Sequence, residues 1–179
     1  MNEVKLTRLV LILRWLIISV MILQIVEGVS LFLTDQDVYL KFDGEIWKRS
    51  ISAFENMDQI FIGLIVFIPI FVLLWGLFQL IKMCNLFDQG VIFAHETIIC
   101  FKRFSVSLIV LSGVETLGNP ALLIYFWVRG IYDKFPDIGI MLILDTLEIS
   151  LLAFGVLCFL ITRIMEISLE QKEELELTI

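Results

Sequence analysis

Glu27, Glu115, Asp145 and Glu148 each fall inside a long run of apolar residues. A carboxylate in hydrocarbon is costly, so within a spanning segment it marks a function or a specific pairing. Each has polar company at helical spacing. Gln24 lies three residues before Glu27, Asn119 four after Glu115, and Glu148 three after Asp145, offsets that share one helix face. The chemistry open to acids and amides alone is narrow. Without a cation at their depth they would take up protons and bond to Gln24, Asn119, Thr116 and Thr146 as glue between helices. Alternatively they would line a cavity that receives a cation, a proton or a basic ligand. Both readings stand on the residues alone.

The elements that must position these groups are spans. The chain has 179 residues, 59% of them hydrophobic, against about 45–50% in soluble domains. The excess collects in residues 9–33, 60–83, 104–128 and 138–162, each about the 20 residues a helix needs to cross the hydrocarbon core. They make one transmembrane domain. Glu27 is 18 residues into a first span running outward, Glu115 is 11 into the third, and Asp145 is 7 into a fourth running inward. At about 1.5 Å per residue, the acids and their amide neighbours fall in the outer half of the bilayer.

Direction follows from the cations. Four spans put both termini on one side with Lys5, Arg8, Arg14, Lys82, Lys102, Arg103, Arg163 and Lys172. Lys41, Lys48, Arg49, Arg129 and Lys134 fall on the other. The bias places both termini in the cytoplasm. The first run begins after Lys5 and Arg8, is longer than a signal-peptide core and lacks an Ala-x-Ala site, so it reads as an uncleaved anchor.

The outer loop 34–59 has Ile46, Trp47, Ile51 and Phe54 near helical spacing, which suggests a short amphipathic helix with Trp47 at the headgroups. In the second outer loop, 129–137, Pro136 and Asp137 suit a helix start. In the inner loop 84–103, Asp88-Gln89-Gly90 reads as a turn with positive φ at Gly90. Glu96 fits the first turn of a following helix, where negative charge suits the dipole. Ile98, Ile99, Phe101 and Phe104 would rest on the inner leaflet, with Lys102 and Arg103 reaching headgroups. The tail 163–179 continues the fourth helix as an acidic, amphipathic extension. It either solvates the helix end or offers Leu169, Leu175, Leu177 and Ile179 to a partner.

Several functions are excluded. A net charge of −7 opposes nucleic-acid binding, which needs Lys and Arg against phosphates. Three cysteines without a Cys-x-x-Cys, and one histidine, His95, support neither a disulfide framework nor a zinc site. No phosphate loop, zinc-protease helix or nucleophile elbow is present. The expectation is therefore no enzyme, no metal and no cofactor.

Two segments resemble a known family. Asp88-Gln89-Gly90-Val91-Ile92-Phe93, with Glu96 after it, resembles a Gly-x-(Ile/Val)-Phe hallmark. The ending Gln171-Lys172-Glu173-Glu174-Leu175-Glu176-Leu177-Thr178-Ile179 is similar to a terminal Glu-Gln-Glu-Leu-Thr-(Ile/Val), with Glu174-Leu175 inserted. Both features occur in a family of uncharacterised bacterial four-span inner-membrane proteins, a domain of unknown function. Its members are often encoded beside a small Cro/CI-type helix-turn-helix regulator. The resemblance implies a membrane protein that senses a signal or sequesters such a regulator through the inner loop and tail. It supplies no site residues.

The expected fold is an all-α integral membrane bundle of four transmembrane helices with cytoplasmic N- and C-termini. The expected function is sensory or regulatory, through a cytoplasmic partner such as that regulator. The candidate ligand- or proton-binding residues are Glu27, Glu115, Asn119, Asp145 and Glu148. Another reading is a small transporter, channel or exporter accessory subunit that uses these carboxylates for protons or cations. Internal repeats, common in transporters, are absent, although a homo-oligomer could supply what one copy lacks. In a third reading the protein is structural, the acids are glue, and Gly113, Gly118 and Gly155 give close packing.

Overall fold

The computed structural model describes residues 3–34, 37–42, 45–90, 94–131 and 148–177. Four long helices dominate: α1 (Glu3–Leu33), α2 (Asn56–Asp88), α3 (His95–Val128) and α4 (Ile149–Leu177). Each contains a segment long and apolar enough to cross a membrane, so the chain is an all-α, four-span membrane protein. The helices are apolar on nearly every side because lipid must solvate most of their surface; Leu9, Ile12 and Leu16 of α1 are exposed. Half of the most apolar stretch of α3 is buried, against 11% for α1 and 17% for α2 and α4. α3 is therefore the helix most enclosed by protein.

The linkers are shorter than the spacing of the apolar runs predicts. α2 continues to Asp88 and α3 begins at His95, so most of 84–103 is helix. Gly90 has φ +78° and its N–H bonds the Phe87 carbonyl at 3.0 Å; the expected left-handed turn ends α2. Glu96 lies in the first turn of α3, as expected. The leaflet contact expected for the next residues is corrected. Ile98 and Phe104 are buried and Phe101 packs on the core, because they belong to a helix packed in protein rather than one lying on lipid. Pro69 and Pro120 sit within continuous helices. The expected start of the fourth span at Ile138, with Pro136 and Asp137 before it, lies outside the described residues.

The largest correction concerns 34–59. In place of an amphipathic helix there is an antiparallel hairpin, β1 (Asp37–Phe42) and β2 (Glu45–Ser50), with Val38 opposite Arg49 and Leu40 opposite Trp47. A 3₁₀ turn at Ile51–Ala53 leads to α2. Ile46, Trp47, Ile51 and Phe54 fit a helical period, but β-branched and aromatic residues flank Asp43-Gly44, a dipeptide strongly favoured between paired strands.

The chain forms two compact units. One comprises Met1–Leu23, Val72–Val110 and Ser150–Ile179; the other comprises Gln24–Phe71 and Leu111–Ile149. In the first, Val10 and Ile17, two turns apart on α1, meet Leu77 and Cys84 of α2. Phe104 and Leu108 of α3 pack on Cys158 of α4. Buried hydroxyls return their protons to their own helix: Ser105 donates to the Phe101 carbonyl at 2.8 Å and Thr162 to that of Cys158 at 2.9 Å. That satisfies them without a polar partner across the interface. Lys102 of α3 meets Glu166 of α4 at 2.9 Å, and Arg163 meets the other oxygen of Glu166 at 2.8 Å. Glu166 is largely buried, while both cations are more exposed. Glu166→Ala is expected to lower stability only slightly, as for screened pairs. Thermal unfolding in detergent would show it, and the Lys102→Met change should shift the midpoint less.

The core of the second unit joins Val38 of the hairpin, Ile51, Phe54, Ile62 of α2, and Leu122, Leu123 and Phe126 of α3. The Phe54 and Phe126 rings stack at 5.2 Å and Phe61 stacks on Tyr125 at 3.9 Å. The Arg49 guanidinium covers Phe54 at 5.0 Å and donates to the Ala53 carbonyl at 3.2 Å. α3 ends in a Schellman turn: Gly130 has φ +68°, its N–H bonds the Trp127 carbonyl, and Ile131 N–H bonds that of Phe126.

Candidate functional site

Two clusters of functional side chains form in the second unit. The first is built on α3. Glu115 and Asn119, one turn apart, line a cavity of about 360 Å³ with Asp37 and Val38 of β1, Ile65 of α2 and Leu122. The walls are mainly aliphatic because this stretch of α2, Ile62 to Pro69, has no polar residue except the backbone of Gly63. Among the described residues, polar groups enter from one face of α3 and from the first residue of β1. Asp37 is held by Lys48 at 2.8 Å across the hairpin. Among the described residues no cation pairs with Glu115.

Glu148 lies beside the α3 turn that carries Glu115. Its position is fixed through the backbone. Ser112, three residues before Glu115, donates its hydroxyl to the Glu148 carbonyl at 3.3 Å. Thr116 donates back to the Ser112 carbonyl at 2.7 Å, so at least that bond stays within α3. The sequence-derived candidates thus divide. Glu115 and Asn119 share a cavity, and Glu148 lies outside its lining but beside the same turn of α3. Glu27 is exposed on α1 and is not part of the cavity lining. Asp145, and Thr146 beside it, lie outside the described residues.

The second cluster is one that sequence reasoning missed. Asp58, in the first turn of α2, is only 2% exposed. Its Oδ1 accepts from Tyr125 Oη at 2.8 Å and from Arg129 Nε at 3.0 Å. Arg129 Nη2 also reaches Glu55 at 2.7 Å. The hydrogen bond from Arg129 to Asp58, and the charge of Asp58, push the guanidinium above its already high ordinary pKa. Gln59 donates to the carbonyls of Phe54 at 3.0 Å and Ile51 at 3.3 Å, tying the 3₁₀ turn to α2. A smaller cavity, about 230 Å³, is bounded by Arg49, Glu55, Asp58 and Arg129. Its charges balance, and its ion pairs clamp the start of α2 to the end of α3. The available signal was the pairing of Glu55 and Asp58 at i, i+3 with Tyr125 and Arg129 at i, i+4, at ends of α2 and α3 that meet if these helices run antiparallel.

Neither cluster holds a nucleophile beside a base. Cys84, Cys100 and Cys158 are buried free thiols in the first unit, and among the described residues no three His, Cys, Asp or Glu side chains come together as metal ligands. What the first cluster can do chemically is bind.

Comparison with curated proteins and with solved structures finds no match to this chain. A family described as a protein of unknown function (DUF2975) matches residues 9–179, nearly the whole length, with both segments that carried the resemblance inside it; the chain belongs to the DUF2975 family.

Proposed function

We propose that this protein is a non-enzymatic membrane sensor: ligand occupancy of the Glu115–Asn119 cavity is relayed to α4, and through its acidic end to a cytoplasmic partner. The supporting observation is the Ser112–Glu148 hydrogen bond. It joins the α3 turn that carries Glu115 to the residue directly before α4. A ligand that compensates Glu115 also relieves its repulsion with Glu148, and so changes the free energy of the start of α4. Differential binding of this kind is what shifts a conformational equilibrium.

α4 runs unbroken to Leu177. At about 1.5 Å per residue, its 29 residues exceed a hydrocarbon core of about 30 Å by about two and a half turns, and Glu170 and Glu174 fall on that excess. The cation bias supports a cytoplasmic side for this end and the N-terminus, and the family resemblance supports a bacterial inner membrane. There the family resemblance suggests a small helix-turn-helix regulator as the partner.

The test uses a spin label. Ser168 is exposed on α4, and the three native thiols are buried, so Ser168→Cys is labelled selectively. Glu115→Gln with Glu148→Gln removes the repulsion that a ligand would relieve. The label's mobility is expected to change in this variant and to stay as in wild type in Glu27→Gln. An unchanged spectrum in the double variant refutes the relay. A cation flux in proteoliposomes that the double variant abolishes would instead establish the transport reading.

A further inference from the structure

The cavity lined by Glu115 also narrows its own ligand. We propose that it takes a small organic cation with an apolar body, an ammonium group carried on a hydrocarbon or aromatic frame. This rests on the sensory reading of the same cavity and names the class of signal.

Size is the first argument. About 360 Å³ falls within the range of small-molecule sites and far exceeds what an inorganic ion fills. The walls are the second. A hard cation needs six or more oxygen ligands, whereas Val38, Ile65 and Leu122 present only hydrocarbon here. An apolar body gains from that lining. Charge is the third. Asp37, at the hairpin edge of the cavity, is already matched by Lys48. Glu115 has no such partner among the described residues, and a second carboxylate, Glu148, lies beside the same turn of α3. An anion meets repulsion there, and a neutral guest leaves Glu115 unanswered. A cation answers Glu115 at one end while its body covers the aliphatic wall. Asn119, one turn along on the same helix, offers an amide that orients the head.

Phenyltrimethylammonium and its neutral isostere tert-butylbenzene separate charge from shape. The full-length protein in phosphatidylcholine nanodiscs is titrated with each, and binding is read from the rise in unfolding temperature. The expected result is saturable stabilisation by the ammonium compound alone. Glu115→Gln should weaken it by about tenfold or more, as for loss of a charge-assisted contact, and Glu27→Gln should leave it as in wild type. Lys48→Gln, at an exposed position, should tighten it severalfold by unmasking Asp37, which keeps the proposal testable if Glu115→Gln folds poorly. Equal stabilisation by the neutral isostere, insensitive to Glu115 and Lys48, overturns recognition of charge and leaves the sensory site standing. Binding of neither compound overturns the ligand class. In that case the Ser168 label decides the sensory reading by itself.

Discussion

Replacing Asp58 by alanine is expected to cost about 2 kcal/mol of stability, within the range for leaving a hydrogen-bonded donor without its acceptor. The size of the loss comes from what is left behind. Asp58 is almost fully buried, and one oxygen accepts from both Tyr125 and Arg129. Without it, Tyr125 loses its bond and Arg129 keeps only Glu55, whose side chain is 79% exposed. Orphaned donors near a core carry their desolvation cost uncompensated. Glu55→Ala removes the same formal charge from the same cation, yet it should cost no more than about 1 kcal/mol because water screens the pair. Asp58→Asn keeps an acceptor for Tyr125 and should fall between the two. Thermal unfolding of the three variants in one detergent checks the order. If Glu55→Ala proves as damaging as Asp58→Ala, burial is not what makes the clamp strong.

The clamp also shows what the sequence made legible and where it stopped. The spans were readable because a 30 Å hydrocarbon layer imposes a length that composition alone reveals. The turn at Gly90 and the acid at Glu96 were readable because both are local backbone requirements. Asp58 and Arg129 are 71 residues apart, and no local period joins them. Glu27 shows the same limit. Depth along a helix follows from counting, but the face it presents does not when α1 is apolar on nearly every side. Depth therefore grouped Glu27 with Glu115, whereas the cavity holds Glu115 and Asn119 without it. The hairpin was missed for a different reason. Four apolar residues satisfied a helical period, while the Asp43-Gly44 dipeptide between two segments rich in β-branched and aromatic residues carried the stronger signal.

A change at Glu148 can move the end of α4 only if α4 responds as one body, so its packing on α3 in the first unit must be firm. The salt bridges of Glu166 contribute little to that, because both cations are partly solvated. Water-driven burial gives no help between helices already solvated by lipid, so close packing has to do it.

Gly155→Leu is expected to destabilise that α3–α4 contact by about 2–3 kcal/mol, the upper part of the range for overpacking. A Cβ at this position would stand 2.9 Å from Ile109 Cγ1, 3.1 Å from Leu108 Cβ and 3.1 Å from the backbone nitrogen of Ile109. A rotamer change can relieve the first contact. Backbone cannot turn aside, so relief of the last requires the helices to separate. Separation strips dispersion contacts from Phe104, Leu108 and Cys158 together. Gly113 makes the control. It was grouped with Gly155 as a small residue for packing, yet a Cβ there meets nothing within 4 Å. Gly113→Ala should therefore be neutral or stabilising by up to about 1 kcal/mol through helix propensity. Unfolding of both variants in detergent measures the difference. The Ser168 label adds a second readout, since a loosened α4 should no longer change its mobility when Glu115 and Glu148 are neutralised. Retention of that response in Gly155→Leu would mean that the relay does not run through the α3–α4 contact.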